Sequence, residues 1–387
     1  MQETDFTELD NMKKIMVVFG TRPEAIKMAP LVLALKKDNL LEPIVVVTAQ
    51  HREMLDQVLN IFDIQPDFDL DVMQREQTLS SITSLVLTRI ESVIKDVQPD
   101  MILVHGDTTT TFAGALAAFY QEVDVGHVEA GLRTYQKYAP YPEELNRQMT
   151  TRLSDLHFAP TVLSKNNLLK ENVEENKVFV TGNTVTDALK TTVDHSYESQ
   201  ILKRHSDKRL ILLTAHRREN LGEKMINIFK AVKEIVEAHQ DVVVVYPMHR
   251  NPKVRTLAHK YLQHERIELI EPLDVIDFHN FAARSYLILT DSGGIQEEAP
   301  SLGKPVLVLR DVTERPEGVT AGTLKLVGTN QQTIFSTADM LLRDETAYQV
   351  MSELQNPYGD GKASERIIDV IKYHYGLSYE QPEEFRM

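Results

Sequence analysis

The chain has 387 residues, more than one hydrophobic core usually serves, so we expect two domains. Its formal net charge of -15 would repel a phosphate backbone, and no long run of Lys and Arg offsets it, which excludes nucleic acid as an expected partner. Without cysteine it can form neither a disulfide nor a thiolate metal site, and its apolar runs are too short to span a membrane. The composition therefore predicts a cytoplasmic enzyme or binding protein.

Residues 1–11 are acidic and show no strand or helix pattern, which is typical of a mobile extension or a tag rather than of a signal peptide. In the following segment, 12–193, short β-branched runs alternate with helical stretches. Apolar runs of this kind are typical of strands covered on both faces, so we predict a parallel, doubly wound sheet. Its strands are predicted at 15–19, 43–49, 101–105, 125–128 and 177–180, and its helices near 23–37, 51–60, 78–97, 109–121, 142–153, 161–171 and 184–193.

A polar interval, DHSYESQILKRHSDKR, interrupts this rhythm and marks a second domain, predicted at 194–362. The alternation of strands and helices resumes there, so the sequence predicts an α/β protein of two Rossmann-like domains that face each other across a cleft, the usual place for a ligand. One more amphipathic helix, within a last segment at 363–387, is expected to cross back to the first domain. The second set of strands is predicted as LILLTA, DVVVVYP, RIELIEP, YLILTD and KPVLVL, with helices at 221–239, 253–263, 274–283 and 293–301.

Ligands of doubly wound sheets bind beyond the carboxyl ends of the strands, where this sequence is unusually polar. After the first strand, Arg22 and Lys27 are placed to reach an anion at a helix N-terminus, although an ordinary capped helix explains them equally well. After the third strand comes Asp107, for which a helix N-cap is the competing interpretation.

The fourth predicted strand ends in HVEAGLRTYQKYAPYPEELNRQ, residues 127–148. Glu129 follows the strand directly and is expected to point into the cleft, with a structural ion pair to Arg133 as the alternative. Glu143 and Arg147 share one helix face, a spacing that by itself indicates only a surface ion pair.

In the second domain, His216 and Arg217 come directly after a strand and are candidates for an anion-binding or acid/base role. The small-residue loop at 292–294 opens a helix, whose free N–H groups suit a diphosphate. Glu298, one turn later, is expected to accept hydrogen bonds from ribose hydroxyls, and Arg315 on a long loop adds a second positive clamp.

Six motifs follow one another along the chain: GTRPEAIKMAPL, HGDTTTTFAGALAAFY, VGHVEAGLRT, PEELNRQ, LTAHRREN and DSGGIQEEAPSLGKPVLVLRDVTERPEG. Taken together, they resemble the bacterial non-hydrolysing UDP-N-acetylglucosamine 2-epimerases, and the resemblance runs from about 13 to 375. It implies the glycosyltransferase B arrangement of the two domains, a homodimer, and interconversion of UDP-N-acetylglucosamine and UDP-N-acetylmannosamine with no added cofactor and no metal. It also implies elimination of UDP to an enzyme-held 2-acetamidoglucal, to which UDP adds back with carbon 2 inverted.

The resemblance carries roles over to individual positions. The acid/base and catalytic candidates are Asp107, Glu129, Glu143, Arg147 and His216. The positions that match UDP contacts are Arg22, Lys27, Phe278, Ser292, Gly293, Gly294, Glu298 and Arg315. A second molecule of UDP-N-acetylglucosamine, bound as an activator, is expected at Gln50, His51, Arg75, Arg217 and His249. The product would supply cell-surface polysaccharides, such as wall teichoic acid linkage units or capsules.

Three other functions fit the same scaffold, since a fold does not fix an activity. A glycosyltransferase would need an acceptor pocket, and a hydrolysing epimerase would release free N-acetylmannosamine. A non-catalytic sensor of nucleotide sugars would keep the phosphate clamps and lose the carboxylates. It ranks last because Asp107, Glu129 and Glu143 are all present.

Overall fold

The computed structural model describes residues 12–49, 52–73 and 78–387, so the predicted extension at 1–11 lies outside the described residues. The chain divides into two compact units. Unit 1 is the described chain up to Ala188 together with Gly359–Arg386, and unit 2 is Leu189–Tyr358. The chain thus passes between the units a few residues before the boundaries predicted at 193 and 362.

Unit 1 is built on a parallel sheet. Its strands are β1 (Lys13–Phe19), β2 (Leu41–Val47), β3 (Phe68–Asp69), β4 (Met101–His105), β5 (Asp124–Val128), β6 (Leu156–Ala159) and β7 (Val178–Val180). The helices between them are α1 (Arg22–Leu35), α2 (Arg52–Ile61), α3 (Leu79–Val97), α4 (Thr109–Tyr120), α5 (Glu143–Leu153) and α6 (Val162–Lys170). After β7, α7 (Val185–Thr192) begins in unit 1 and ends in unit 2. The strand order is β3-β2-β1-β4-β5-β6-β7, so the order reverses between β1 and β4. The five predicted strands are present, whereas the short strands β3 and β6 were not predicted.

Unit 2 repeats the design with a second parallel sheet. Its strands are β8 (Arg209–Thr214), β9 (Val242–Pro247), β10 (Ile267–Ile270), β11 (Leu287–Thr290), β12 (Val306–Val308) and β13 (Leu324–Leu326). Its helices are α8 (Gln200–Arg204), α9 (Glu223–Ala238), α10 (Pro252–Tyr261), α11 (Val275–Arg284), α12 (Gly293–Glu298), α13 (Pro316–Ala321), α14 (Gln331–Arg343) and α15 (Glu345–Ser352). The order β10-β9-β8-β11-β12-β13 reverses between β8 and β11.

Both faces of the second sheet are covered, as the apolar strand runs indicated. Along β8, Ile211 and Leu213 belong to one hydrophobic cluster, whereas Leu210 and Leu212 belong to another. Successive side chains of a strand point to opposite faces, so the two clusters lie on the two sides of the sheet. Open α/β sheets bind ligands where the strand order reverses, which in this chain is between β1 and β4 and between β8 and β11.

The last helix, α16 (Ala363–His374), belongs to unit 1 and packs against α1. The carboxylate of Asp187 accepts hydrogen bonds from the N–H groups of Ala363 and Ser364 at 3.1 and 2.9 Å, and Lys372 pairs with Asp38 at 3.0 Å. Ile367 and Ile371 are fully buried. No helix in the described part of the chain is long and apolar enough to cross a membrane.

Three adjacent strands of unit 1 each bury a histidine: His105 in β4, His127 in β5 and His157 in β6. Burial lowers the pKa of His105 and of His157 to about 4 and that of His127 to about 3. The imidazole of His127 lies with Nε2 2.7 Å from the carbonyl oxygen of Gly106, so this nitrogen must carry the proton. All three rings are therefore neutral at pH 7.

These histidines predict a loss of stability in mild acid. Unfolding restores a pKa near 6.5, so the unfolded chain binds more protons than the native one between about pH 6.5 and 4. Stability is then full above pH 6.5 and falls on acidification, by up to about 1.4 kcal/mol per pH unit for each ring. The urea midpoint of unit 1 should be lower at pH 5.5 than at pH 7, and His157→Gln should weaken this dependence. The exposed His195 provides the control, since His195→Gln should leave the dependence unchanged. Equal midpoints at both pH values would contradict the prediction.

Candidate active site

In unit 1 the candidate residues follow β1, β4 and β5, which are neighbours in the sheet. Thr21 caps α1 and Thr108 caps α4, where its side chain accepts a hydrogen bond from the N–H of Thr111. Asp107 is therefore not the N-cap of α4, and that interpretation was wrong. Its carboxylate is left available for other partners.

Glu129 is held in a strained position directly after β5. Its φ of 62° lies in the left-handed region, which costs a residue with a side chain of the order of 1 kcal/mol and is common at functional sites. Its Oε2 accepts hydrogen bonds from the Lys27 ammonium and, at 2.9 Å, from the Asn183 amide, and His105 Nε2 lies 3.7 Å away. Burial raises the pKa of Glu129, but the nearby Lys27 charge and these hydrogen bonds outweigh it and hold the pKa well below its usual range. Glu129 is a carboxylate at neutral pH.

Asp107 has the opposite electrostatic environment. An Arg147 guanidinium nitrogen donates to its Oδ2 at 2.6 Å, and 27% of the side chain is exposed. Burial raises the pKa of Asp107 to about 6, because the lowering effect of Arg147 is smaller and the negative charges of Glu129 and Glu143 add to the rise. Two carboxyl groups that influence each other thus have pKa values displaced in opposite directions.

The two local ion pairs considered from the sequence are not formed. Arg133 donates from Nε to Glu171 at 2.7 Å rather than pairing with Glu129. Arg147 pairs with Asp107, and not with Glu143 on its own helix face. These corrections have one physical reason: the partners that form are brought together by the sheet from distant parts of the chain.

Glu24 is a buried carboxylate that the sequence analysis did not single out. It is 2% exposed, and its Oε2 accepts the N–H groups of Gly20 and Thr21 at 3.0 and 2.7 Å. Its Oε1 accepts the hydroxyl of Thr108 at 2.6 Å, which ties the start of α1 to the start of α4. Glu24 thereby links α1, which carries Lys27, to the start of α4, which directly follows Asp107. The spacing Thr21-x-x-Glu24 is a capping box, a signal that could have identified it.

Glu144, also fully buried, fixes the loop between β5 and α5. Its two oxygens accept the N–H groups of Thr134 and Tyr135 at 3.1 and 3.0 Å. Gln148 donates to it at 2.8 Å, and Arg147 lies 3.5 Å away. Both oxygens of this carboxylate bind the backbone of the loop that leads to Glu143, the first residue of α5.

In unit 2 the ends of β8 and β11 carry the candidates. Asp291 is fully buried, and its Oδ2 accepts the N–H groups of His216 and Arg217 at 2.9 Å each. The His216 ring stacks on His249, with ring centres 5.5 Å apart and planes inclined by 12°. Burial lowers the pKa of His216, Asp291 opposes this, and His249 and Arg217 add to the lowering.

The loop after β11 approaches Arg315 closely. A Cβ atom added to Gly293 would lie 2.7 Å from an Arg315 guanidinium nitrogen, so glycine is required for this approach. Arg315 is held in turn by Glu297, 2% exposed, which accepts its Nε–H at 2.8 Å. The structure therefore brings the Arg315 guanidinium to Gly293, the middle residue of the loop at 292–294.

Glu298 and Phe278 lie on neighbouring parts of unit 2. Glu298 Oε2 is 3.3 Å from Nε2 of His279, whose Nδ1 is 2.7 Å from the hydroxyl oxygen of Thr192. The half-buried Phe278 ring makes an edge contact with His279. His279 thus connects the predicted ribose contact to the predicted uracil neighbour.

The predicted activator residues are only partly within the described chain. Gln50, His51 and Arg75 lie outside the described residues, whereas Arg217 and His249 both adjoin His216. Among the described residues, no group of three or more His, Cys, Asp or Glu side chains is placed to hold a metal ion.

Comparison with known proteins was decisive for the family. A family model described as UDP-N-acetylglucosamine 2-epimerase matches residues 33–372. The UDP-N-acetylglucosamine 2-epimerase of Bacillus subtilis is 63% identical over 373 residues, which cover 96% of this chain and 98% of that protein. The chain belongs to the UDP-N-acetylglucosamine 2-epimerase family. It is accordingly an isomerase, and the resemblance seen in the six motifs is confirmed.

Two solved structures agree with the fold. A putative UDP-N-acetylglucosamine 2-epimerase from Listeria monocytogenes is 58% identical, covers 97% of this chain and 100% of its own, and has a TM-score of 0.94. A UDP co-structure of S. aureus MnaA is 61% identical with the same coverage and a TM-score of 0.89. The prediction of two Rossmann-like α/β domains is confirmed.

Proposed function

We propose that the protein interconverts UDP-N-acetylglucosamine and UDP-N-acetylmannosamine without hydrolysis, by eliminating UDP to a 2-acetamidoglucal and adding it back. The observation that carries the proposal is the pair Glu129 and Asp107, one held ionised and the other with a pKa near neutrality. Inversion at carbon 2 needs a base that removes a proton from one face and an acid that returns one to the other. Environments that push two pKa values apart supply such a pair.

Glu129 is the base of the elimination. Its carboxylate takes the proton from carbon 2, the C–H electrons form the double bond to carbon 1, and the bond from carbon 1 to oxygen breaks as UDP leaves with its electron pair. Asp107 then gives its proton to carbon 2 on the opposite face while a UDP oxygen re-forms the bond to carbon 1. Arg147, 2.6 Å from Asp107, stabilises the carboxylate left behind, and Glu143 raises the proton affinity of Asp107 beforehand.

Lys27 connects the leaving group to the base. It donates to Glu129, and it lies on α1, the helix that begins at the predicted phosphate contact Arg22. A diphosphate that draws Lys27 toward itself would withdraw positive charge from Glu129, and the pKa of Glu129 would then rise. Substrate binding would in this way make Glu129 a stronger base only when UDP is present.

Unit 2 supplies the groups that hold UDP. We propose that Ser292, Gly293, Gly294 and Arg315 clamp the diphosphate, whose charge grows as it leaves, and that His216 adds a further donor. Glu298 takes the ribose and Phe278 the uracil ring. The UDP co-structure of the S. aureus relative supports a UDP site in this family.

The activator site is a further part of the proposal. Gln50, His51, Arg75, Arg217 and His249 would bind a second UDP-N-acetylglucosamine, and the stacking of His249 on His216 is a direct physical link to the catalytic set. A ligand that stacks on His249 would favour one arrangement of the His216 ring, and activation follows only if that arrangement is the active one. We also propose that the enzyme is a cytoplasmic homodimer that supplies cell-surface polysaccharides such as wall teichoic acid linkage units or capsules.

The reaction is tested by incubating the protein with UDP-N-acetylglucosamine in deuterated water and following the sugar by proton NMR. Deuterium at carbon 2 of both epimers, with both still attached to UDP, is the expected result. Free N-acetylmannosamine would indicate a hydrolysing epimerase instead. An unlabelled sugar with no second epimer would reject the proposal.

Changing Gly293 to Ala tests the diphosphate clamp. The new Cβ would displace the Arg315 guanidinium without disturbing the backbone, so the Kd for UDP should rise about tenfold. Calorimetry on Gly293→Ala, Arg315→Gln and the double variant gives the comparison. If the alanine acts through Arg315, it adds nothing to Arg315→Gln, whereas multiplying effects would show that the two sites act independently.

A further inference from the structure

We propose that Asp291 is a positioning residue that fixes the tautomer and the plane of the His216 ring, and so directs Nε2 of that ring to the leaving phosphate. This proposal rests on the function proposed above, in which His216 donates a hydrogen bond to the diphosphate. Asp291 itself would touch neither the sugar nor UDP.

The two oxygens of Asp291 have different surroundings. Oδ2 accepts the backbone N–H groups of His216 and Arg217 at 2.9 Å and the side-chain amide of Asn220 at 3.1 Å. Oδ1 is buried and accepts no hydrogen bond within the described chain, but Nδ1 of His216 lies 3.2 Å from it. A buried carboxylate oxygen without a donor is costly, so the ring nitrogen beside it is the natural site for a proton.

This pairing determines which ring nitrogen is free. With its proton on Nδ1, facing Oδ1, the neutral ring keeps a lone pair at Nε2, and the protonated ring donates from Nε2. The charged and titratable groups that face the ring are Asp291, His249 and Arg217, of which only Asp291 favours the protonated form. The carboxylate is thus the one negative countercharge for a proton on this ring.

The ring plane is restrained from a second side. The near-parallel stack on His249 limits rotation, and the two backbone hydrogen bonds to Oδ2 hold the residue at the end of β8 next to β11. In the elimination proposed above, the departing phosphate oxygen gains negative charge. A donor already aimed at it stabilises that charge without reorganisation, and no proton need be transferred.

The test replaces Asp291 with Asn. The asparagine oxygen can take the place of Oδ2 and keep the backbone hydrogen bonds, while its NH₂ group replaces Oδ1 and donates to Nδ1. The neutral His216 ring must then carry its proton on Nε2. Long-range proton–nitrogen NMR of the full-length protein labelled with ¹⁵N-histidine should show Nδ1–H in the original protein and Nε2–H in Asp291→Asn. The same tautomer in both would overturn the proposal.

Asn220→Ala is the matched control, because Asn220 donates to the other oxygen, Oδ2. It should leave the tautomer of His216 unchanged, and a switch to Nε2–H in this variant would overturn the proposal by showing that any loosening of the loop moves the proton. Circular dichroism of each variant checks that the fold is retained.

Kinetics separate positioning from support of the fold. Asp291→Asn removes the countercharge of the protonated ring, so the Nε2–H of the variant belongs to a neutral ring and stabilises the leaving phosphate less. It should lower kcat about ten- to a hundredfold with little change in KM, and shift the pH inflection that belongs to His216 to lower pH. Added to His216→Ala, it should cause no further loss, whereas multiplying losses would overturn the proposal. The tautomer is measured without turnover, so it tests the pairing of Asp291 with His216 independently of catalysis. Normal activity of His216→Ala would reject the role proposed for His216 in the reaction, and the tautomer would still test the pairing.

Discussion

Replacing Glu129 with Gln is expected to lower kcat about a thousandfold, since the amide cannot accept the proton from carbon 2. Gln can still accept the hydrogen bond from Lys27, so the shape of the site is kept. The Kd for UDP should therefore change by less than about threefold, because Lys27, Arg315 and the loop at 292–294 remain. Turnover is measured by NMR of the two epimers, and UDP binding by calorimetry.

Glu122→Gln is the control for this variant, because Glu122 is exposed and its replacement removes the same single negative charge. It should leave both kcat and UDP affinity unchanged. Near-normal turnover of Glu129→Gln would remove Glu129 from the mechanism, and equal loss in the control would assign the effect to net charge.

Replacing Asp107 with Asn is expected to abolish interconversion to a similar degree but to leave half of the chemistry intact. Glu129 can still remove and return the hydrogen on its own face of carbon 2, and its proton exchanges with solvent between the two events. In deuterated water, one of the two UDP-sugars should therefore acquire deuterium at carbon 2 without forming the other. Each epimer, supplied separately, gives the answer by NMR, and the one that exchanges is the substrate of Glu129.

Exchange into both epimers by Asp107→Asn would contradict a division of labour between two carboxyl groups. No exchange into either would mean that Asp107 is needed for the elimination itself. Asp96→Asn, on the exposed side of α3, is the control and should interconvert the sugars at the original rate.

The sequence was sufficient to predict the architecture because the information is local. β1, β2 and β4 contain the runs IMVVF, IVVV and MILV of buried apolar residues, which signal a doubly covered strand without any knowledge of their neighbours. β3 escaped prediction because it spans only two residues, and β6 and β13 escaped because LHFA and LKL contain no β-branched residue.

Side-chain partners were harder to predict, because they depend on contacts between distant segments. The i,i+4 spacing of Glu143 and Arg147 favours a local pair, yet Asp107, forty positions before Arg147, takes the guanidinium. A partly buried ion pair is screened less than an exposed one, so Arg147 pairs with Asp107 rather than with Glu143. Asp291 gave no signal for the same reason, since its partner His216 lies 75 positions earlier.

The return of α16 to unit 1 has a consequence for the order in which the two units can mature. Unit 2 is complete at Tyr358, whereas unit 1 lacks the helix that covers α1 until residue 374 has left the ribosome. Domains fold as units during synthesis, usually the amino-terminal one first. Here the amino-terminal unit must instead wait, partly covered, while the one encoded after it is already complete. A chaperone that binds the nascent chain would therefore bind exposed apolar residues around α1, in the part of the chain that was synthesised first.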